Sequence, residues 1–474
     1  MNKNEEYIVT IEDIGNDGEG IGHIEGMTVF VKDAALLDVV RVKIIKLKKN
    51  YCYARLMEII TPSAFRVNPL CENARRCGGC SLMHLDYAKQ LEYKQNKVIG
   101  CLERIGGIRD VGRLLDVCCG MENPVHYRNK MQFPVGLNRD GKVVIGFYAG
   151  RTHSIIDTDV CLTGHPVNDY IIGEVKTLFQ REVEKDKSLI YNEELHTGLI
   201  RHLLTRVGFA TGELMVCLVI NGTDIRKIEG AFVDAVSAAV DKYNKACNSK
   251  IVLKSLSINI NTDRTNKILG DTCKAIYGLP YITDYIDDVK YNISPLSFYQ
   301  VNPVQTQRLY GKALEYAGLT GGELVWDMYC GIGTISLFLA KRARHVYGVE
   351  IIPQAIEDAR RNAKINSIEN ATFYVGKAEE VVPRLFEEGA EHSHPDVIVV
   401  DPPRKGMDAE LINTIVDMSP ERLVYVSCDP ATLGRDIKIL TQKGFSLEKF
   451  SVYDQFCHST HVETVCLLSK KCPV

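Results

Sequence analysis

The sequence predicts an α/β protein: a doubly wound, Rossmann-like domain at the C-terminal end, preceded by an N-terminal β-barrel and a central α+β domain. Beyond residue 300, strand patterns alternate with helical patterns, which is typical of a parallel sheet covered by helices. Residues 5 to 60 alternate apolar and polar side chains with period two, with Gly and Asp at the breaks. Between these regions lie a cysteine cluster and a mixture of strand and helix patterns.

Residues 1–60 are predicted to form the barrel, and its last strands are basic. Tyr51 and Tyr53 stand among the cations, and a nucleic-acid groove needs both cations for phosphates and rings for bases. A solvated, lysine-rich edge strand that resists aggregation would have the same composition. The pattern alone therefore leaves both interpretations open. The cations are Arg41, Lys43, Lys46, Lys48, Lys49 and Arg55.

The segment CENARRCGGC follows the barrel and has C-x5-C-x2-C spacing. Sixteen cysteines in a chain with no evident secretion signal favour reduced thiols, a metal site or catalysis over a disulfide framework. Three clustered thiolates indicate a metal site, and zinc and an iron–sulfur cluster both suit such ligands. The three cysteines are Cys71, Cys77 and Cys80. Candidates for a fourth ligand are Cys101, Cys118, Cys119 and Cys161, of which Cys101 lies in a helical pattern and is expected to pack in the core.

The central α+β domain is placed at residues 61–290 and the C-terminal domain at residues 291–474. A helical pattern near residues 85–106 is expected to pack on the C-terminal domain. The net charge of −3 gives no global attraction to nucleic acid, so such binding would need a local basic patch. Because no signal peptide or bilayer-length apolar stretch is evident, we expect a cytoplasmic monomer with no membrane partner.

In the C-terminal domain, VWDMYCGIGTISLFLA reads as a strand, a glycine-rich turn and the start of a helix. It lacks the third glycine of the dinucleotide fingerprint, because Ser336 stands there. Glu350 ends the next strand, where an acid suits hydrogen bonds to ribose hydroxyls, and Asp401 ends the fourth strand. Ligands of doubly wound sheets bind at these strand ends. The pattern thus indicates a cofactor pocket.

The stretch YVSCDPATLGRD places Cys428 at the end of a further strand. A buried thiol that packs as a small hydrophobe is the ordinary interpretation. The alternative is a nucleophile that opens to the pocket that Asp401 lines.

Taken together, these segments resemble the S-adenosylmethionine-dependent RNA uracil-C5 methyltransferases. The resemblance is carried by SFYQVNP at residues 297–303, DMYCGIGT, GVEIIPQAIEDAR, DPPRKG and YVSCDPATLGRD. It covers the whole chain, since the N-terminal strands resemble the TRAM RNA-binding barrel and the middle resembles the iron–sulfur domain of the family. One departure is Thr334, where some relatives carry asparagine.

The resemblance implies a role for each site residue. Cys428 would be the nucleophile that adds to C6 of the base, and Glu463 of the HVET motif would be the base that removes the C5 proton. Phe298 would stack on the target base. Cys161 would complete a [4Fe–4S] cluster with the three clustered cysteines. S-adenosylmethionine would be held by Gln300, Tyr329, Glu350 and Asp401.

The function implied is methylation of C5 of a uridine in a structured RNA. A TRAM barrel combined with an iron–sulfur cluster favours 23S ribosomal RNA as the partner, and the same chemistry on transfer RNA is the close alternative. A non-catalytic RNA-binding or redox-sensing protein on a methylase fold is a third possibility. The presence of both Cys428 and Glu463 argues against it.

Overall fold

The computed structural model describes residues 1–150, 152–388 and 394–470. These residues form sheets of six, seven and eight strands and a two-stranded hairpin. No helix in these ranges is long and apolar enough to cross a membrane.

The N-terminal sheet is built from six short strands. They are β1 (Glu6–Thr10), β2 (Asp13–Ile14), β3 (Gly20–Ile24), β4 (Met27–Val31), β5 (Val39–Leu47) and β6 (Tyr51–Thr61). Their order is β1-β5-β6-β4-β3-β2. Alternate residues such as Val29 and Val31 are fully buried, as the period-two pattern requires. The carboxylate of buried Asp38 pairs with Arg66, which follows the sheet, and so ties it to the next region.

The central domain is a seven-stranded sheet with two helices on one face. In spatial order its strands are β10 (Ile155–Asp157), β9 (Val143–Tyr148), β8 (Lys130–Leu137), β11 (Ile200–Val207), β12 (Glu213–Ile220), β13 (Val252–Ile260) and β14 (Thr272–Gly278). The helices α2 (Val167–Val183) and α3 (Glu229–Cys247) share one hydrophobic core with the sheet. A hairpin of β15 (Ile282–Ile286) and β16 (Val289–Ile293) follows, and its apolar residues belong to the core of the C-terminal domain.

The C-terminal domain has an eight-stranded sheet. In spatial order its strands are β19 (Ala371–Val375), β18 (His345–Glu350), β17 (Leu324–Met328), β20 (Val397–Val400), β21 (Arg422–Ser427), β23 (Glu463–Lys470), β22 (Phe445–Tyr453) and β7 (Leu115–Cys119). The helices are α4 (Pro303–Ala317), α5 (Thr334–Ala340), α6 (Pro353–Ile365), α7 (Ala378–Glu387), α8 (Ala409–Met418) and α9 (Pro430–Gln442). From β19 to β21 neighbouring strands are parallel, and β23 is antiparallel to both its neighbours.

The edge strand β7 comes from a part of the chain that the sequence assigned to the central domain. It pairs in parallel with β22, so residues 115–119 belong to the C-terminal sheet. The helix before it, α1 (Tyr87–Arg104), shares a hydrophobic core with α9 through Val98 and Leu102. Residues 87–119 therefore contribute a helix and a strand to the C-terminal domain.

Candidate active site

Three carboxylic acids and one thiol lie at one edge of the C-terminal sheet. Because β17, β18, β20 and β21 are parallel, their carboxyl ends meet there. Asp327 lies near the end of β17 and Glu350 ends β18. Asp401 directly follows β20, and Cys428 directly follows β21.

The antiparallel pairing of β21 with β23 sets Cys428 opposite Glu463. Ser427, the last residue of β21, is paired with Thr464. Continuing this antiparallel register by one residue places Cys428 opposite Glu463, the first residue of β23. Opposed residues on neighbouring strands have Cβ atoms about 5 Å apart. A thiol and a carboxyl are thus brought together at the mouth of the sheet.

The start of α9 fixes the position of Cys428. Asp429 caps this helix, and its Oδ1 accepts hydrogen bonds from the backbone N–H groups of Ala431 and Thr432, at 2.9 and 3.0 Å. Pro430 occupies the first helical position, where its fixed φ suits the helix. The chain therefore turns sharply from strand to helix directly after Cys428.

Burial and neighbouring charge set the protonation of this pair. Burial, with the negative charges of Glu463 and Asp401, raises the pKa of the Cys428 thiol to about 12, and Arg404 opposes this. The pKa of Glu463 is raised well above its usual value, first by burial and then by Asp401. Burial raises the pKa of Asp401 to about 7. Without a further positive charge, the thiol is therefore neutral at pH 7, and burial favours the neutral form of Glu463.

The glycine-rich turn after β17 holds Glu350 in place. The carboxylate of Glu350 accepts hydrogen bonds from the N–H of Gly331 at 3.2 Å and of Ile352 at 2.9 Å. Gly331 has φ 56°, in the left-handed region that favours glycine. The turn is therefore shaped to present backbone N–H groups to this acid.

Asp327 lies fully buried beneath the same turn. Its Oδ2 accepts a hydrogen bond from Ser336 Oγ, and burial raises its pKa to about 7. Ser336, which replaces the third glycine of the dinucleotide fingerprint, therefore has a partner of its own.

The remaining predicted site residues lie on two loops beside this edge. Tyr329 has φ 72° and its hydroxyl donates to Glu379 Oε1 at 3.1 Å. Gln300 is buried, and its Oε1 accepts from Gln455 Nε2 at 3.4 Å. Phe298 is 69% exposed, an unusual position for a large apolar ring.

The helix α1 anchors the loop that leads to Glu463. Lys94 is fully buried, and its Nζ donates to Asp454 Oδ1 and to the carbonyl of Phe456. The other oxygen of Asp454 accepts from the hydroxyl of Tyr87 at 2.7 Å. Because these contacts come from α1, residues 87–104 help to orient the start of β23.

Two neighbouring cavities share part of this loop as a wall, and together they are called the groove. One, of about 430 Å³, lies beside Cys428 and Arg404. The other, of about 620 Å³, lies between the N-terminal sheet and the cysteine loop, with Tyr53 in its wall. Both are lined by Asp17, Thr460 and His461.

The four cysteines predicted as metal ligands lie around one small cavity: Cys71, Cys77, Cys80 and Cys161. The pKa of each of the first three thiols is raised, first by burial and further by the Cys161 thiol. The N–H of Gly79 donates to the Sγ of Cys77 at 3.4 Å. In the part of the chain that the structure describes, no three His, Cys, Asp or Glu side chains converge closely enough to hold a single metal ion.

The other two candidates for the fourth ligand lie in β7. Cys118 Sγ is 3.8 Å from the carbonyl of Leu91, and Cys119 Sγ is 3.5 Å from Gln305 Oε1. Both belong to the surroundings of the C-terminal sheet. Neither lines the small cavity around which the other four cysteines lie.

Comparison with known proteins agrees with this geometry. The model of the tRNA (uracil-5-)-methyltransferase family matches residues 281–471, and that of the TRAM domain matches residues 2–57. A Bacillus cereus protein named as an RNA methyltransferase is 46% identical over 99% of this chain and 98% of its own length. The crystal structure of the Pyrococcus abyssi tRNA (uracil-54, C5)-methyltransferase with S-adenosyl-L-homocysteine has a TM-score of 0.75 and 28% identity, over 98% of this chain and 100% of that one.

The chain belongs to the RNA uracil-C5 methyltransferase family. The family predicted from the sequence motifs is thereby confirmed, together with the N-terminal TRAM domain. A protein of Caldanaerobacter subterraneus, also named as an RNA methyltransferase, is 46% identical over 99% of this chain and 100% of its own length.

The sequence analysis assigned no role to two residues that lie at this site, Arg404 and His461. Arg404, in the DPPRKG motif, is the positive charge that acts on both Cys428 and Glu463. Its position directly after Asp401 and two prolines could have indicated that it lies near the pocket. His461, two residues before Glu463, lines both cavities. The HVET motif contains it, but no sequence pattern indicated a groove.

Proposed function

We propose that this methyltransferase transfers a methyl group from S-adenosylmethionine to C5 of a uridine in 23S ribosomal RNA, through a bond between Cys428 and C6 of the base. The observation that carries the proposal is that Cys428, directly after β21, lies next to Glu463 at the start of β23, with Asp401 and Arg404 acting on both. A nucleophile and a base at one site are the two groups that this chemistry requires.

The strand-end acids support a site for S-adenosylmethionine. Glu350 ends β18 with its carboxylate held by backbone N–H groups, and an acid there suits ribose hydroxyls. Asp327 Oδ1 is buried with no hydrogen-bond partner among the described residues, which leaves an acceptor for a cationic group such as the ammonium of the cofactor. Gln300, Tyr329 and Asp401 complete the proposed set. When bound, the cofactor supplies the methyl group and a positively charged sulfonium.

Cys428 makes C5 nucleophilic. Its Sγ bonds to C6, and the electron pair of the C5–C6 double bond then gives C5 carbanion character. The thiol must lose its proton for this step, although burial and two acids hold it neutral. Arg404 favours the thiolate, so its position in the pocket supports the nucleophilic role.

Glu463 completes the reaction. After transfer, C5 carries its original hydrogen and the methyl group, and C6 is still bonded to sulfur. The Glu463 carboxylate takes the C5 proton, the C5–C6 double bond forms again, and the sulfur leaves as a thiolate. Because burial favours the neutral acid, Arg404 is needed to stabilise its ionised form as well.

The four cysteines around the small cavity are proposed to hold a [4Fe–4S] cluster: Cys71, Cys77, Cys80 and Cys161. Four thiols around one cavity match the ligand number of a cubane, and the N–H donated to Cys77 Sγ suits a thiolate. No step of methyl transfer depends on this group in our proposal.

The groove between the TRAM domain and Cys428 is proposed to hold the RNA. The rings of Phe30, Tyr51 and Tyr53 lie with centroids 5.6 to 5.7 Å apart, and Tyr53 lines the groove with Lys46. Aromatic faces and cations are the elements of a single-strand binding surface. Of the basic residues on these strands, Arg41 is paired with Glu58 at 3.3 Å, so it contributes less free charge.

Nucleoside mass spectrometry of ribosomal and transfer RNA from a deletion strain tests the proposed substrate. Loss of 5-methyluridine from 23S ribosomal RNA, restored by the parent gene and not by a Cys428→Ala version, would support it. Loss from transfer RNA would instead favour the second candidate, which the similarity to the Pyrococcus abyssi transfer-RNA enzyme recommends. An unchanged modification profile would favour a non-catalytic RNA-binding or redox-sensing role.

A further inference from the structure

The loop of residues 294–301, which carries Phe298 and Gln300, is held from two sides. On the side of the C-terminal domain, Ser297 Oγ donates to Asp358 Oδ2 at 3.2 Å. Ser294 and Ser297 close a tight turn, with their hydroxyls 2.8 Å apart. These contacts fix the base of the loop and leave Phe298 exposed.

On the other side, the contacts come from the central domain. Arg206, in β11, donates from Nη2 to the carbonyl of Ser297 at 3.0 Å and from Nη1 to the carbonyl of Ser294 at 3.3 Å. Asn129 donates from Nδ2 to the carbonyl of Gln300 at 2.9 Å and from its backbone N–H to the carbonyl of Val301 at 2.8 Å. The loop is therefore gripped on both sides of Phe298 by two residues of another domain.

The two residues form one unit. The carbonyl of Asn129 accepts from the N–H of Val207, next to Arg206, at 2.8 Å. A shift of β11 would thus displace the loop contacts of Arg206 and of Asn129 together.

The burial of Arg206 lowers the stability of the fold. It is 1% exposed, and no carboxylate of the described residues lies within 4 Å of its guanidinium. Burial without an opposite charge lowers its pKa to about 10. A buried cation without a partner costs stability, and an apolar side chain of similar volume would avoid that cost. Its two loop carbonyls are the contacts that an apolar side chain would lose.

We propose that Arg206 and Asn129 are positioning residues for methyl transfer, through which the central domain sets the placement of Phe298 against the target base and of Gln300 against the cofactor. This inference rests on the proposed function of those two residues. A small displacement of a positioned group can cost about a hundredfold in rate. The central domain would then act in the chemistry as well as in RNA binding.

Arg201 provides a matched control on the same strand. It is also buried, and its Nη1 donates to two carbonyls, those of Asn261 and Asp263, at 2.7 and 2.9 Å. Neither of these carbonyls is in the 294–301 loop. Arg201→Met and Arg206→Met therefore remove similar interactions, but only the second acts on the loop.

The first measurement is hydrogen exchange by mass spectrometry on the full-length protein. Arg206→Met should accelerate exchange in the peptide that covers residues 294–302, and Arg201→Met should not. Should Arg206→Met fail to fold, Asn129→Ala is expected to give the same acceleration. Parent-like exchange in this peptide for a folded Arg206→Met or Asn129→Ala variant would overturn the proposal. This readout does not depend on which RNA, if any, is methylated.

The second measurement is a double-mutant cycle on kcat/KM with substrate RNA. Arg206→Met should lower kcat/KM by roughly tenfold to a hundredfold. Combined with Phe298→Ala, it should add less than about threefold, because both changes act on the same placement. Effects that multiply would mean that Arg206 only stabilises the fold. If the parent methylates C5 of uridine and Arg206→Met does so equally well, the positioning role fails and the proposed function stands.

Discussion

Half-buried cysteines occur in two different environments in this molecule. Cys428 faces two carboxylic acids and one guanidinium, at the end of a strand. The cysteines around the small cavity face mainly one another. Burial raises the pKa in both places, so burial alone does not distinguish a nucleophile from a ligand.

The difference lies in where a positive charge can come from. At Cys428 the protein supplies it, through Arg404. Around the cavity, Lys32 favours the thiolate of Cys77 and Arg128 that of Cys80, but the neighbouring thiols oppose each other's ionisation. Several thiolates together would therefore need a bound cation as well. The two places differ in that Cys428 faces acids and a guanidinium, whereas the cysteines around the cavity also face one another.

The largest expected effect is that of Cys428→Ala. It should abolish methyl transfer, because no other described group at this edge is placed to add to C6, and it should leave cofactor affinity near that of the parent. Transfer of labelled methyl to RNA and calorimetric binding of S-adenosylhomocysteine would measure the two. Cys101→Ala, at the wall of the same cavity, is the control for a thiol without a role. Measurable turnover by Cys428→Ala would exclude the covalent route.

Glu463→Gln should stop the reaction one step later. The variant keeps the shape but lacks the base, so the methylated uridine should stay bonded to Cys428. A denaturing gel with methyl-labelled cofactor would then show label on a slowly migrating protein–RNA band. Parent-like turnover would place the base elsewhere.

Arg404→Met should change the pH dependence. Since Arg404 opposes the rise in the pKa of Cys428, its loss should raise that pKa further. At any pH below the pKa a smaller fraction is then thiolate, so kcat/KM should fall and recover in part as the pH increases from about 6 to about 9. Arg404→Lys retains the charge and should restore most of the parent profile. An unshifted profile for Arg404→Met would show that the guanidinium does not act on the thiol.

Cys161→Ser should remove the cluster with a smaller effect on the chemistry. Anaerobically purified parent protein is expected to be brown with about four iron atoms per chain, and the variant should lose both. Cys118→Ser, whose thiol lies in β7, should retain them. Iron and zinc analysis with visible spectra would decide, and a zinc-containing, colourless parent would reverse the assignment.

The smallest effect is expected from Lys46→Ala in the TRAM domain. Losing one phosphate contact should reduce the slope of log affinity for RNA against log salt by about one unit. Lys245→Ala, an exposed lysine at the end of α3, is the control. A point change is preferable to removing residues 1–60, because that would also remove Asp38 and leave Arg66 without its buried partner. An unchanged slope would mean that this lysine only solvates an edge.

The sequence could predict those parts of the site that follow from strand ends. Period and turn residues locate β17, β18, β20 and β21, and parallel strands bring their ends together whatever lies between them. Asp401 and Cys428 were found in this way. Glu463 needed its motif, because an acid at the start of a strand has no distinctive pattern.

The sequence could not predict those parts of the fold in which a residue's partner lies far away along the chain. The segment Leu115–Cys119 contains nothing that distinguishes a strand of the central sheet from one beside β22. Arg206 looks like any charged residue in a strand, and its partners lie in a loop of another domain. The role of these residues depends on their burial and on their contacts, and both are set only when the chain has folded.

The position of β7 has a consequence for how the protein is made. This strand leaves the ribosome long before β22, the strand it pairs with, because the whole central domain is synthesised between them. Domains usually fold as they emerge, from the N-terminal end. Here the nascent chain must carry α1 and β7 without their partners while the central domain folds. A truncated transcript or a stalled ribosome would leave these apolar surfaces uncovered, because β22 and β23 join the sheet only after the central domain has been made.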